Sequence, residues 1–382
     1  MARSSFQGLI AIATVFITLA FSFAYAGECK VKEPTEAAIA DAIKVGVVLE
    51  LQMEELSKEY LKKTGKQLKV ALVSRAGQNM KDITTLKEAD AQGRLLNLQQ
   101  IVQTGEAEAP MTEAGTKDPE TVKNAIRKLY GDKSRQSVYS HMGMIFRNHP
   151  QGKDEAEGQN QWWFRHMLRP CATKEDIQSG VNPNMPELYD EGVLRFFADD
   201  PYELRAQIIV PPSDIQDNLE KLALPKLVKI NGEEYWDNRL PQIFKGEFYN
   251  AAAGWKNQTE ANSNQYILEL VAAASQPFGR VRTRAEAQDV LVKSGYRPMR
   301  AILSGMQAMA GAPFASKFAP YVRLHDEEQP AYRNYSIADL ITTLSVEEYM
   351  QRNGWVVLNK HIHVTDKSKF EDKSKTTPTR DY

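Results

Sequence analysis

The strongest constraint on this chain is a set of apolar runs that are too short to be buried helices. Leu68 to Ser74, Leu-Lys-Val-Ala-Leu-Val-Ser, is bounded by turn residues and predicts a buried strand with Arg75, Gly77 and Gln78 at its exit. Ser137–Phe146 and Gln161–Leu168 predict two neighbouring strands joined by a polar loop through Asn148, His149 and Pro150. Ala206–Val210 predicts another strand, ended by Pro211 and Pro212, and Gly354–Leu358 a closing one. Segments of helical period lie between them. Residues 36–63 carry Ile39, Ile43, Val47, Leu51 and Leu56 as an apolar stripe, and Ser213–Leu224, Arg284–Lys293 and Ile337–Arg352 also read as helices. Residues 191–199 read as a short helix or strand. Asn262–Ser275 places Ile267, Leu270, Val271 and Ala274 at helical spacing and predicts a buried helix, reached through loop-rich sequence from about residue 225. Strands and helices in this mixture predict an α+β fold.

From about Lys81 to Gln136 the sequence turns polar, with helix-like pieces at Ala89–Thr104 and Asp118–Tyr130, and reads as an inserted helical lobe. Residues 365–382 form a charged tail expected to be disordered, so residues 27–364 read as one α+β domain carrying the lobe. At the other end, Arg3, the apolar run Leu9–Phe23 and Ala24-Tyr25-Ala26 have the form of an export signal cleaved before Gly27, which predicts a periplasmic or secreted protein with no membrane span once it is removed. Cys29 and Cys171 are the two cysteines; in an oxidising compartment a disulfide is the simplest reading, with a cysteine nucleophile as its competitor. A composition of 42% hydrophobic and 25% charged residues excludes collagen-like, wholly disordered and multi-span membrane chains. The net charge of −1 gives no reason to expect nucleic acid or an acidic membrane surface as partner.

The usual flags of large enzyme classes are missing: no G-x-S-x-G, H-E-x-x-H, G-x-x-x-x-G-K-[ST], or G-x-G-x-x-G after a strand. Of six histidines, His141 and His166 sit inside the paired apolar strands, where the two-residue pleat can bring their rings together on one face. Ser263 stands where a loop enters the buried helix, beside N–H groups suited to an oxyanion. Asn262, Ser263 and Asn264 are also ordinary helix caps, so a nucleophile and a cap are both open readings of Ser263. His361-Ile362-His363 would put two imidazoles on one strand face, yet no third ligand lies nearby, and Asp199-Asp200 lacks ligand-like spacing. Neither a metal nor a cofactor is expected.

Taken in order, Arg75-Ala-Gly-Gln78, Tyr139-Ser-His-Met-Gly143, Asn148-His-Pro-Gln-Gly152, Trp163-Phe-Arg-His166, Tyr189-Asp-Glu-Gly192, Phe196-Phe-Ala-Asp-Asp-Pro201 and Asn262-Ser-Asn-Gln-Tyr-Ile-Leu-Glu269 resemble a bacterial family catalogued as domain of unknown function 2145. The resemblance runs from about Cys29 to about residue 350, with the lobe as an insertion that typical members lack, and brings no activity with it. Tyr139-Ser-His-Met-Gly-Met-Ile145 is also similar to the histidine strand of circularly permuted relatives of papain and of NlpC-type cell-wall peptidases. That similarity implies a papain-like core in permuted order, an antiparallel sheet packed on helices. It maps the general base to His141, the orienting residue to His166 and the nucleophile to Ser263, serine where those relatives carry cysteine. Tyr139, Gln78 and Asn262 would help to bind. The implied activity is a serine-type hydrolase or acyltransferase acting on an amide or ester in the cell envelope. The alternative is an inactive envelope binding or assembly module whose cleft takes a peptide, glycan or lipid.

Overall fold

The computed structural model describes residues 36–75, 101–103, 139, 141–147, 162–169, 174–180, 182, 185–198, 205–250, 253–302 and 337–364. Six strands make the main sheet: β1 Val70–Arg75, β2 His141–Arg147, β3 Trp162–Leu168, β4 Glu187–Gly192, β5 Arg205–Val210 and β6 Leu358–His363. Their order is β6-β5-β1-β2-β3-β4, and every neighbouring pair is antiparallel. Helices α1 Glu36–Thr64 and α2 Val193–Ala198 lie on one face. On the other, α3 Ser213–Ala223, α5 Arg284–Lys293 and α6 Thr343–Arg352 gather around α4 Ser263–Ala274. The architecture is α+β, as the mixture of apolar runs and helical segments predicts, and its main sheet is antiparallel.

Because helices cover both faces, the central strands are apolar at almost every position instead of at alternate ones. Val70, Leu72, Met142, Met144, Phe146 and Ile209 pack toward α4, while Ala71, Val73, Ile145, Phe164, Ile208 and Val210 pack toward α1 and α2. All twelve residues of α4 are buried, which explains its long run of apolar and small side chains.

Several boundaries and one face differ from the sequence reading. Helix α1 forms where expected but turns the other way: Ile39, Ile43, Val47 and Leu51 are exposed, and Ala42, Val45, Leu49, Met53, Leu56 and Tyr60 are buried. It carries two apolar stripes, and the one chosen by the sheet is the one that continues to its C-terminal end through Leu56 and Tyr60. Ile101–Gln103, inside a segment expected to be helical, is a strand that pairs with Met299–Ala301, in keeping with its β-branched Ile-Val pair. Ile337–Leu340 pairs with the same strand from the other side, so the helix predicted from Ile337 starts only at Thr343, with Thr342 capping it. The closing strand is shifted to Leu358–His363. In the stretch read as loop-rich, Lys226–Ile230 and Glu233–Asp237 form a hairpin on Asn231-Gly232, both at positive φ (53° and 89°), the dipeptide that two-residue hairpin turns favour. The export signal, Cys29, Gln78, Cys171, the rest of the inserted lobe and the tail lie outside the described residues.

Candidate active site

The pairing of β2 with β3 sets Met144 opposite Arg165 and Ile145 opposite Phe164. Continued to the end of the sheet, this register puts His166 across from Gly143 and diagonal to His141, on the same face. Gly143 is what lets the face close. A Cβ there would lie 3.0 Å from Phe196 Cε2 and 3.2 Å from His166 Cβ. The two imidazoles meet edge to face, with centroids 5.0 Å apart, and His141 Nε2 is 2.8 Å from His166 Nδ1.

His141 opens β2, so its ring stands at the rim of the sheet and reaches α4, which packs on the opposite face. There His141 Nδ1 lies 2.9 Å from Ser263 Oγ. The cap of α4 is not Ser263 but Asn262, whose side-chain oxygen accepts the Gln265 N–H at 2.8 Å. Ser263 is therefore the first helical residue, its hydroxyl aimed at a base. On the far side of the pair, His166 Nε2 is 2.5 Å from Glu191 Oε1 on the adjoining strand β4. Sequence reasoning misses Glu191 as a site residue, although it stands within the motif Tyr189-Asp-Glu-Gly192.

The row is satisfied with His141 as the acceptor of the serine proton. Glu191 accepts from His166 Nε2–H, His166 Nδ1 accepts from His141 Nε2–H, and His141 Nδ1 accepts from the Ser263 hydroxyl. His166 is fully buried and His141 nearly so. Burial first, then the Arg75 charge, then His166 itself hold the His141 imidazole well below the ordinary histidine range, so at neutral pH it is an unprotonated base. Arg75 ends β1 opposite His141, its guanidinium 4.6 Å from the centre of the Phe196 ring. Phe196 is stacked on Phe164 and lies edge-on to His166, walling the pair from α1.

The approach to Ser263 is held by a second buried group. Glu269, one face of α4 along from the serine, takes Arg284 Nε and Nη2 at 2.8 and 3.0 Å and the side-chain amides of Gln265 and Gln288 at 3.0 and 2.8 Å. Arg284 also donates to the main-chain carbonyls of Gln258 and Glu260, 2.7 and 3.1 Å away, fastening the strand that leads into the serine. Tyr139, expected as a binding residue, has its hydroxyl 3.3 Å from Ala206 O and 3.1 Å from His361 Nδ1, and its carbonyl accepts from Thr343 Oγ1 at 3.0 Å. It ties the entry of β2 to β5, β6 and α6. Asn262 acts through its cap.

Among the described residues no group of three or more His, Cys, Asp or Glu is placed to hold a metal ion, and no helix is long and apolar enough to cross a membrane. Neither the curated proteins nor the solved structures contain a significant match to this chain. A family model described as an uncharacterized protein conserved in bacteria, DUF2145, matches residues 127–350, a span that holds His141, His166, Glu191 and Ser263.

Proposed function

The chain belongs to this bacterial family of unknown function, so its chemistry has to be read from its own site, and we propose that it is a serine-dependent hydrolase or acyltransferase acting on an amide or ester. The observation that carries the proposal is the unbroken row Ser263–His141–His166–Glu191, which has a nucleophile, a base, an orienting group and a buried anion in sequence. Order along the chain, two histidine strands and then a nucleophile at the start of the central helix, supports a papain-like core in permuted order. Arg3, the apolar run Leu9–Phe23 and Ala24-Tyr25-Ala26 support export to the periplasm or beyond, where Cys29 and Cys171 would pair.

The mechanism follows from the proton arrangement. As Ser263 Oγ attacks the carbonyl carbon, its proton passes to His141 Nδ1. The imidazolium so formed keeps its Nε2–H on His166, and Glu191 polarises His166 so that it accepts that bond more strongly. Collapse of the tetrahedral adduct breaks the bond to the leaving group, which takes the proton from His141. Water or a second nucleophile then repeats the cycle on the acyl-serine, giving hydrolysis or transfer. A serine needs this base during attack, whereas a thiol would be held as thiolate at the same helix start. The test is covalent labelling with a fluorophosphonate followed by mapping of the modified peptide. Labelling at Ser263 that is lost in Ser263→Ala and His141→Ala supports the enzyme, and an unlabelled wild type favours the inactive envelope module.

A further inference from the structure

Tyr249 lies in none of the predicted elements, but the backbone brings it to the nucleophile. Phe248–Tyr249 pairs in parallel with Glu260–Ala261, Tyr249 beside Ala261, two residues before Ser263. The pairing is pinned at each step: Phe248 N–H donates to Thr259 O at 3.1 Å, Asn250 N–H to Ala261 O at 3.0 Å, and Asn250 Nδ2 to Glu260 Oε2 at 2.6 Å. Gly246, at φ +75°, makes the close turn into this pair, where a Cβ would meet Ala261 Cβ and Arg284 Nη1, each at 3.1 Å. The phenol consequently arrives with little freedom, and its oxygen lies close to both the main chain and the side chain of Ser263. Ser263 N–H belongs to the first turn of α4 and has no acceptor within the helix.

In papain-like chemistry or any other acyl transfer to Ser263, the carbonyl oxygen must develop its charge next to Oγ, within reach of that N–H. On the basis of the serine-nucleophile reading above, we infer that Tyr249 is a catalytic residue, its O–H forming with the Ser263 N–H the pair of donors that holds the oxyanion. An acyl oxygen entering beside Oγ takes a hydrogen bond from each as the Oγ–C bond forms. No proton leaves the phenol; the proton of Ser263 still goes to His141. Burial raises the Tyr249 phenol above the ordinary tyrosine range, which keeps it a neutral donor through the pH range of catalysis.

The experiment compares wild type, Tyr249→Phe and Ser263→Ala for turnover of p-nitrophenyl acetate and for binding of phenylboronic acid, which forms a tetrahedral adduct on a reactive serine. Tyr249→Phe should lower kcat by about 10²- to 10³-fold with little change in KM, and weaken boronate binding, while its unfolding midpoint stays near that of wild type. Replacing Tyr249 with 2,3-difluorotyrosine, a ring of similar size and a stronger O–H donor, should restore kcat to wild-type level or above. Tyr249→Phe within threefold of wild type, alongside an inert Ser263→Ala, overturns the donor role and leaves the nucleophile standing. Equal turnover by wild type and Ser263→Ala overturns both.

Discussion

Replacing Arg284 with Met keeps most of the stem's packing and removes the charge. Four hydrogen bonds go with it, two to Glu269 and one each to the carbonyls of Gln258 and Glu260. What remains is a fully buried carboxylate with two amide donors, Gln265 and Gln288. Stranding one member of a buried pair costs about 3–5 kcal/mol, and that range is expected for Arg284→Met at pH 8. The carboxylate has an escape, which is to take a proton. Burial already raises Glu269 above the usual glutamate range against the pull of Arg284, and without the arginine it rises further. A carboxyl raised in the folded state binds more protons there than in the unfolded chain, so stability falls as pH rises through the interval above the unfolded value of about 4.3. The deficit of Arg284→Met should therefore be largest at pH 8 and smaller at pH 5. Urea unfolding at the two pH values measures it directly. A loss below about 1 kcal/mol, or one of the same size at both pH values, would refute the view that Arg284 is present to neutralise a buried charge.

Other outcomes follow from the row of four residues. Glu191→Gln keeps the shape of β4 but not the anion behind His166, and should lower kcat toward p-nitrophenyl acetate by about 10²- to 10⁴-fold with the fold intact by circular dichroism. Ser263→Cys, at a helix start beside an imidazole, should give a thiol alkylated by iodoacetamide well below pH 8.5, and adding His141→Ala should abolish the advantage. Because the folded His141 lies below the unfolded value of about 6.5, the stability tied to it is full above that pH and lost as pH falls toward the folded value. The difference in urea stability between wild type and His141→Gln should accordingly shrink as pH is lowered from 8 to 4, and the acid limb of kcat/KM should lie below 6.5. Gly143→Val, which drives two methyl groups toward Phe196 and His166, should cost about 1–3 kcal/mol in thermal or urea unfolding and separate the two histidines.

How much of this was legible in the sequence depends on whether a single segment held the signal. The strands of the sheet centre announce themselves because burial on both faces makes them continuous apolar runs. The pleat permits His141 and His166 to face one another once β2 and β3 are taken as neighbours, their register fixes it, and the start of α4 is marked by Asn262. Helix α1 shows the limit of periodicity, since both of its stripes are apolar and only the sheet selects between them. Glu191 was hidden for another reason. It lies on an edge strand whose exposure does not alternate cleanly, and its role depends on the register of β3 against β4, which local sequence does not encode. Tyr249 belongs to a two-residue strand, too short for any pattern.

The strand order β6-β5-β1-β2-β3-β4 also sets a schedule for assembly. β1 is made first yet lies inside the sheet, and both its neighbours, residues 141–147 and 205–210, come much later in the chain. Such distant pairings close slowly. His141 and His166 come together as soon as β2 meets β3, whereas Ser263 joins only when the sheet can receive α4. Fluorophosphonate pulses during refolding should therefore find Ser263 reactive only in the last phase. On the serine-nucleophile reading proposed above, a growing or half-folded chain would carry the base without the nucleophile, and the order of the strands would protect it from acylation before it is finished.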